Sequence, residues 1–322
     1  MNLARLNIAS GRCAAFFAVL VAFVLCSAVL TGCGGSADGG ASGGSGASQA
    51  SGAAFTPATA IAEATFHEDE ATGQNGALID TSATSEGYVA VSATASSHLK
   101  LQVTSGNSTE NFDLPADGTP TVAPLVFGDG AYTFRVMQNT SGNNYVELAS
   151  ATADVALESE FAPFLRPNVF CNFTTSSACV TKARELVASA SNQGEAVQAI
   201  CEYVVDNVTY DDAKAEQLKS SSGYVPDPDE TLASGTGICF DYASLGAAML
   251  RSQGFPTKIV TGYVSPGEIY HAWIMVYVDG IWKSAQFSVS QNTWSRVDLT
   301  FAASGGGTNV GDGKEYTDRY VY

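Results

Sequence analysis

Three residues of this chain have the types and spacing of a nucleophile, a base and an orienting acid. Cys239 follows Ser234-Gly235-Thr236-Gly237-Ile238 and opens the apolar stretch Phe240-Asp241-Tyr242-Ala243, which reads as a helix start. A helix N-terminus presents unpaired N–H groups and a partial positive charge. Both favour a thiolate over a thiol of ordinary pKa about 8.5, and the same N–H groups can stabilise a developing oxyanion. The glycines let a substrate carbonyl approach the backbone. Taken alone, Cys239 reads equally well as a buried structural thiol. His271 tips the reading towards chemistry, because it opens the predicted strand His271-Ala272-Trp273-Ile274-Met275-Val276-Tyr277 and no other histidine follows residue 98. Asp298, within Trp294-Ser295-Arg296-Val297-Asp298-Leu299-Thr300, is placed to orient the imidazole from a later antiparallel strand. Gln286 is the alternative third residue. A thiol paired with an imidazole and an orienting acid performs acyl transfer through a covalent acyl-enzyme.

These residues need a helix and a sheet to bring them together. Val197, Ile200, Cys201, Val204, Val205 and Val208 recur at helical spacing. A shorter helix is predicted over 181–190. A third runs from Cys239 to Gln253, where Gly254 and then Pro256 stop it. Strands are predicted over 258–264, 271–278, 281–289 and 294–301, with Asp279-Gly280 as a hairpin turn. Helices followed by antiparallel strands make an α+β region, assigned to residues 161–322. Residues 53–160 differ. Tyr88–Ala93, Leu99–Val103, Ala131–Met137 and Tyr145–Leu148 alternate in polarity between Gly, Asn and Asp turns, which predicts a small all-β sandwich.

The three motifs, Gly237-Ile238-Cys239-Phe240-Asp241-Tyr242-Ala243, Tyr270-His271-Ala272-Trp273 and Trp294-x-x-x-Asp298-x-Thr300, together resemble the transglutaminase-like superfamily. The resemblance runs from about Ala183 to Thr300. It implies a papain-like Cys-His-Asp core with Cys239 as nucleophile, His271 as base and Asp298 as orienting acid. Leu299 departs from it, standing where the family usually has proline. Tyr210 is a candidate oxyanion donor, as aromatic residues are in some members. Trp273 lies on the same side of its strand as His271, so it is a candidate wall of the site and equally a core residue. Asp241 reads as support for the helix start. The implied activity is attack on an amide, as a peptidase or amidase or as a cross-linking transglutaminase, on a protein or peptide substrate, with cell-wall peptide as one candidate. The implied chemistry needs no metal or organic cofactor. The competing class is a catalytically silent binding or adhesion module on the same fold.

The N-terminus suggests an address. Arg5 and Arg12 precede an apolar run from Cys13 to Leu30, as in a secretory signal peptide. The run ends in Leu30-Thr31-Gly32-Cys33, which resembles the lipobox of bacterial lipoproteins. That resemblance implies a signal peptide over 1–32, lipid on Cys33, and a protein anchored at the extracytoplasmic face of a cell membrane. Residues 33–52, rich in Gly, Ser and Ala, read as a flexible tether. Cys171 and Cys179, eight residues apart in a disulfide-permissive compartment, are a candidate disulfide, and Cys201 reads as a buried inert thiol. The chain holds 15 basic against 32 acidic residues, a net of −17. Loss of Arg5 and Arg12 leaves 13 against 32, a net of −19. Such a surface argues against nucleic-acid binding, which needs basic patches on phosphate.

Overall fold

The computed structural model describes residues 49–221, 223–265, 269–284, 286–305 and 316–322. The expected signal peptide and Cys33 lie outside the described residues. Strand β1 (Gln49–Gly52) precedes a strand-rich region made of β2 (Thr72–Gln74), β3 (Ala77–Asp80), β4 (Tyr88–Ala93), β5 (Leu99–Ser105), β6 (Ser108–Leu114), β7 (Thr121–Pro124), β8 (Gly130–Ser141) and β9 (Asn144–Val155). Two four-stranded sheets, in the orders β2-β3-β4-β7 and β6-β5-β8-β9, are antiparallel throughout. Alternate residues of both sheets, among them Ile79, Val91, Leu101, Phe112 and Phe134, meet in one apolar core. Burying these faces against each other is what a period-two pattern requires.

The remaining elements are α1 (Ala178–Leu186), α2 (Gln193–Asn207), β10 (Thr209–Tyr210), α3 (Asp212–Leu218), α4 (Pro228–Ser234), β11 (Thr236–Gly237), α5 (Cys239–Ser252), β12 (Thr257–Val264), β13 (Ile269–Tyr277), β14 (Gly280–Lys283), β15 (Ser288–Val289), β16 (Trp294–Val297), α6 (Leu299–Ala303) and β17 (Tyr316–Val321). Helix α5 forms because its apolar residues are buried on nearly every side. Leu245, Ala247, Ala248, Met249 and Leu250 are all inaccessible, and α1, α2, α4, α6 and the sheet surround it. The sheet runs β16-β13-β12-β17, with Gly262 opposite His271 and Val276 opposite Ser295. Ala272, Ile274 and Val276 of β13 face α5. His271 and Trp273 project from the other side, the period-two alternation of the strand.

The two cores meet at Tyr322 and Phe170. Their rings lie 4.4 Å apart, and both approach Phe112 of the sandwich and Phe240 of α5. Arg251, buried at the end of α5, donates from Nε to the Thr257 carbonyl at 2.9 Å, from Nη1 to that of Arg166 at 2.8 Å and from Nη2 to that of Tyr322 at 2.9 Å. One guanidinium thus ties the segment between the two regions to β12 and to the residue after β17.

Four expectations are corrected. Residues 49–52, read as the end of a tether, form β1 and pair with β14 from Gln49–Lys283 to Gly52–Gly280. Asp279-Gly280 does not close a hairpin between β13 and β14, since β14 pairs with β1 and β15. The glycine is needed for contact instead: a Cβ on Gly280 would lie 2.8 Å from the Ser51 carbonyl oxygen and 2.9 Å from the Gly194 nitrogen. The strand expected over 294–301 ends at Val297. There Asp298 accepts the Phe301 N–H at 3.0 Å and so caps α6. Cys171 and Cys179 are free thiols. Each has its own partner: Cys171 Sγ donates to the Ser244 carbonyl at 3.8 Å, and Cys179 Sγ bonds the Asp229 carboxylate.

Candidate active site

Cys239 is the first residue of α5 and is half-buried. The first backbone bonds at this end run from Asp241 and Tyr242 to the Ile238 carbonyl. The N–H groups of Cys239 and Phe240 therefore lie ahead of the helical ladder, pointing outward from the positive end of the dipole. Asp241 fixes the approach to this end. Its Oδ2 accepts the Ile238 N–H at 2.8 Å and the Lys214 ammonium at 2.8 Å, while its Oδ1 accepts the Tyr224 hydroxyl. Asp241 is completely inaccessible, so these partners are what make its burial tolerable. Gly237 must be glycine to allow this, since a Cβ there would come within 2.6 Å of Asp241 Cβ. Asp241 supports the helix start, the role the sequence suggested.

His271 sits near the open end of β13, 5% exposed, with its ring stacked on Phe301 at 4.5 Å between centroids. Its Nε2 is 2.9 Å from Oδ2 of the wholly buried Asp298. The imidazole also hydrogen-bonds Cys239. With Nε2 committed to the carboxylate, Nδ1 is the nitrogen that meets the thiol. Burial disfavours the charged ring, but the hydrogen bonds and charges of Asp298 and Cys239 outweigh it and raise its pKa from 6.5 to about 10. The geometry therefore favours a protonated imidazole between Asp298 and Cys239. Such a pair is how a cysteine is activated before it meets a carbonyl.

Asp298 owes its position to a change of element. It is the last residue before α6, so one oxygen caps the helix and the other faces the imidazole. Tyr316, on β17, donates from its hydroxyl to the same Oδ2 at 2.9 Å. No motif in the sequence pointed to Tyr316. Gln286, the alternative third residue, bonds the Ala302 carbonyl from Nε2 at 3.3 Å, at the far end of α6.

Tyr210 lies on β10, whose partner β11 leads into Cys239, and Tyr210 pairs with Gly237. It is 40% exposed. Burial and the neighbouring charge of Cys239 raise its pKa, which keeps the hydroxyl a donor beside the thiol. Trp273 is in the core: it is 1% exposed and packs edge-on against Tyr316 at 4.9 Å. It does not wall an open site. The other three described cysteines, Cys171, Cys179 and Cys201, are buried, and burial pushes each thiol upwards. Among the described residues no group of histidine, cysteine and carboxylate side chains is placed to hold a metal ion. A cavity of about 630 Å³ opens between the sandwich and the segment before α1, lined by Pro120, Asn168 and Asp229 among others, and it includes neither Cys239 nor His271.

Residues 180–299 match the family model of the transglutaminase-like superfamily, a span that contains Cys239, His271 and Asp298. These residues form a transglutaminase-like domain. An uncharacterized protein of Mycobacterium leprae (strain TN) is 29% identical over 123 residues, which cover 33% of this chain and 40% of that protein. The match therefore spans under half the length of that relative. Solved structures similar to the chain include a Cytophaga hutchinsonii protein provisionally described as a cysteine protease, with 15% identity, coverage of 73% and 79% and a TM-score of 0.37. Red sea bream transglutaminase is similar at 10% identity, coverage of 66% and 48% and a TM-score of 0.27. The transglutaminase-like domain is completed at its sheet edge by β17 and beside α2 by β1, both outside the matched span.

Proposed function

We propose that the protein is a cysteine-dependent acyl-transfer enzyme acting on amide bonds of a protein or peptide. The observation that carries this reading is His271, bonded to Asp298 on one side and to Cys239, at the N-terminus of α5, on the other. The thiolate of Cys239 attacks the amide carbonyl. The N–H groups at the start of α5 receive the developing oxyanion, with the Tyr210 hydroxyl beside them. The imidazolium gives its proton to the leaving amine, and the neutral ring then takes one from the incoming nucleophile as the acyl-enzyme resolves. Asp298 keeps the ring oriented through both transfers. Water as the second nucleophile makes a peptidase or amidase, and an amine makes a cross-linking enzyme. The test is mass spectrometry of peptide and cell-wall peptide substrates incubated with the protein, with and without an added primary amine. New carboxyl termini identify hydrolysis and amine adducts identify transfer. No product in either arm, with a Cys239→Ser variant as blank, rejects the enzyme.

The lipobox-like sequence around Cys33 supports an enzyme tethered to the outer face of a membrane. Two or more acyl chains anchor a protein stably where one holds it marginally. Metabolic labelling with a fatty-acid probe tests this: wild type takes up label and Cys33→Ser does not, and equal labelling of both rejects the anchor.

A further inference from the structure

Tyr316 and His271 both direct a proton at Oδ2 of Asp298, each from 2.9 Å. The Phe301 N–H holds the other oxygen, Oδ1. Tyr316 is 8% exposed and its ring is fixed, edge-on to Trp273 at 4.9 Å and under the Arg296 guanidinium at 4.3 Å. A cation over the ring face makes the phenol hydroxyl a better donor. Among the described residues, ionisable groups beside this cluster include Cys239 from α5, Asp298 from the β16–α6 junction and Arg296 from β16, with Asp318 of β17 3.8 Å from Arg296. Two donors on one carboxylate oxygen share its charge. The stronger the hydroxyl's bond, the weaker the carboxylate's hold on the imidazolium proton.

We infer that Tyr316 is a positioning residue that tempers Asp298, holding the carboxylate against His271 while keeping the imidazolium acidic enough to give its proton to a leaving group. The inference takes its catalytic meaning from the reading of Cys239, His271 and Asp298 given above. Its physical content is a change in where His271 titrates, which needs no turnover. A proton held too tightly by the ring–carboxylate pair would be transferred slowly, and a hydrogen bond to the same oxygen relaxes that hold without removing the charge.

The chain holds three histidines, so histidine-labelled full-length protein gives few ring signals, and a His271→Gln variant identifies the one that matters. Tyr316→Phe removes one oxygen and keeps the ring that packs on Trp273 and under Arg296. The expected result is a His271 titration midpoint about half to one pH unit above that of wild type, the equivalent of one hydrogen bond. Tyr316→4-fluorophenylalanine, which fills nearly the same space and cannot donate, moves the midpoint up as well. It supplies the answer should the phenylalanine variant fold poorly. A midpoint that stays in place or moves the opposite way in the folded variant overturns the inference. Failure of wild-type protein to form an acyl-enzyme would instead reject the proposed function and leave this titration result standing.

Discussion

Asp241 Oδ2 accepts the backbone N–H of Ile238 at 2.8 Å, so the residue three places into α5 holds the residue just before Cys239. Because the same carboxylate carries Lys214 and Tyr224, the start of the helix that begins with Cys239 is pinned from behind.

Removing that pin leaves a buried N–H and a hydroxyl without an acceptor and an ammonium without its counter-charge. Asp241→Ala is expected to cost about 3 kcal/mol of stability, read by urea unfolding, and to slow iodoacetamide labelling of Cys239 in the folded protein. Asp241→Asn retains an acceptor for Ile238 and is expected to lose less on both measures.

Arg251 is buried and serves three carbonyls of three different segments. Arg251→Met fills the space and leaves those carbonyls without donors, at about 1–3 kcal/mol each. A loss of at least about 3 kcal/mol is expected in denaturant unfolding. Arg251→Lys recovers only part of it, because a compact ammonium cannot span the positions a planar fork reaches.

His271 binds its proton more tightly folded than unfolded, its pKa rising from 6.5 to about 10. A group raised on folding contributes stability that is complete below the unfolded value and is lost as pH rises through the folded one. The stability difference between wild type and His271→Gln should therefore shrink between about pH 6.5 and pH 10. Urea unfolding of both proteins at a series of pH values measures it. A difference that is flat or grows across that window would mean the ring is not held as an imidazolium.

The grouping of Cys239, His271 and Asp298 could be read from the sequence because each lies in a local motif. Cys239, His271 and Asp298 each sit in a short motif, and the helix and strands around the first two follow from periodicity and from Gly254 and Pro256. What escaped depends on one side-chain cap and on contacts between distant segments. Val297-Asp298-Leu299 alternates like a strand, and only the bond from Asp298 to the Phe301 N–H turns the chain into a helix there. Residues 49–52 end a stretch with the composition of a tether, yet β1 lies close to the chain at Gly194 and Gly280 because Gly52, Gly194 and Gly280 carry no side chain. Tyr316 arrives from a C-terminal strand by way of the β12–β17 pairing, and nothing in its own neighbourhood announces a carboxylate partner.

The central claim, that Cys239, His271 and Asp298 act as one acyl-transfer unit, is tested most directly by the rate at which an activated ester acylates Cys239. Intact-protein mass spectrometry follows the reaction, with circular dichroism to confirm folding. We expect one acyl group on wild-type Cys239. For Asp298→Asn we expect a rate lower by roughly 10²–10⁴, against about 10⁴ for the corresponding change in a serine-protease triad, since a thiolate–imidazolium pair formed in advance depends on the acid less. Gln286→Ala should stay near wild type. Acylation abolished in Gln286→Ala but intact in Asp298→Asn, or wild-type protein acylated away from Cys239, would contradict the account.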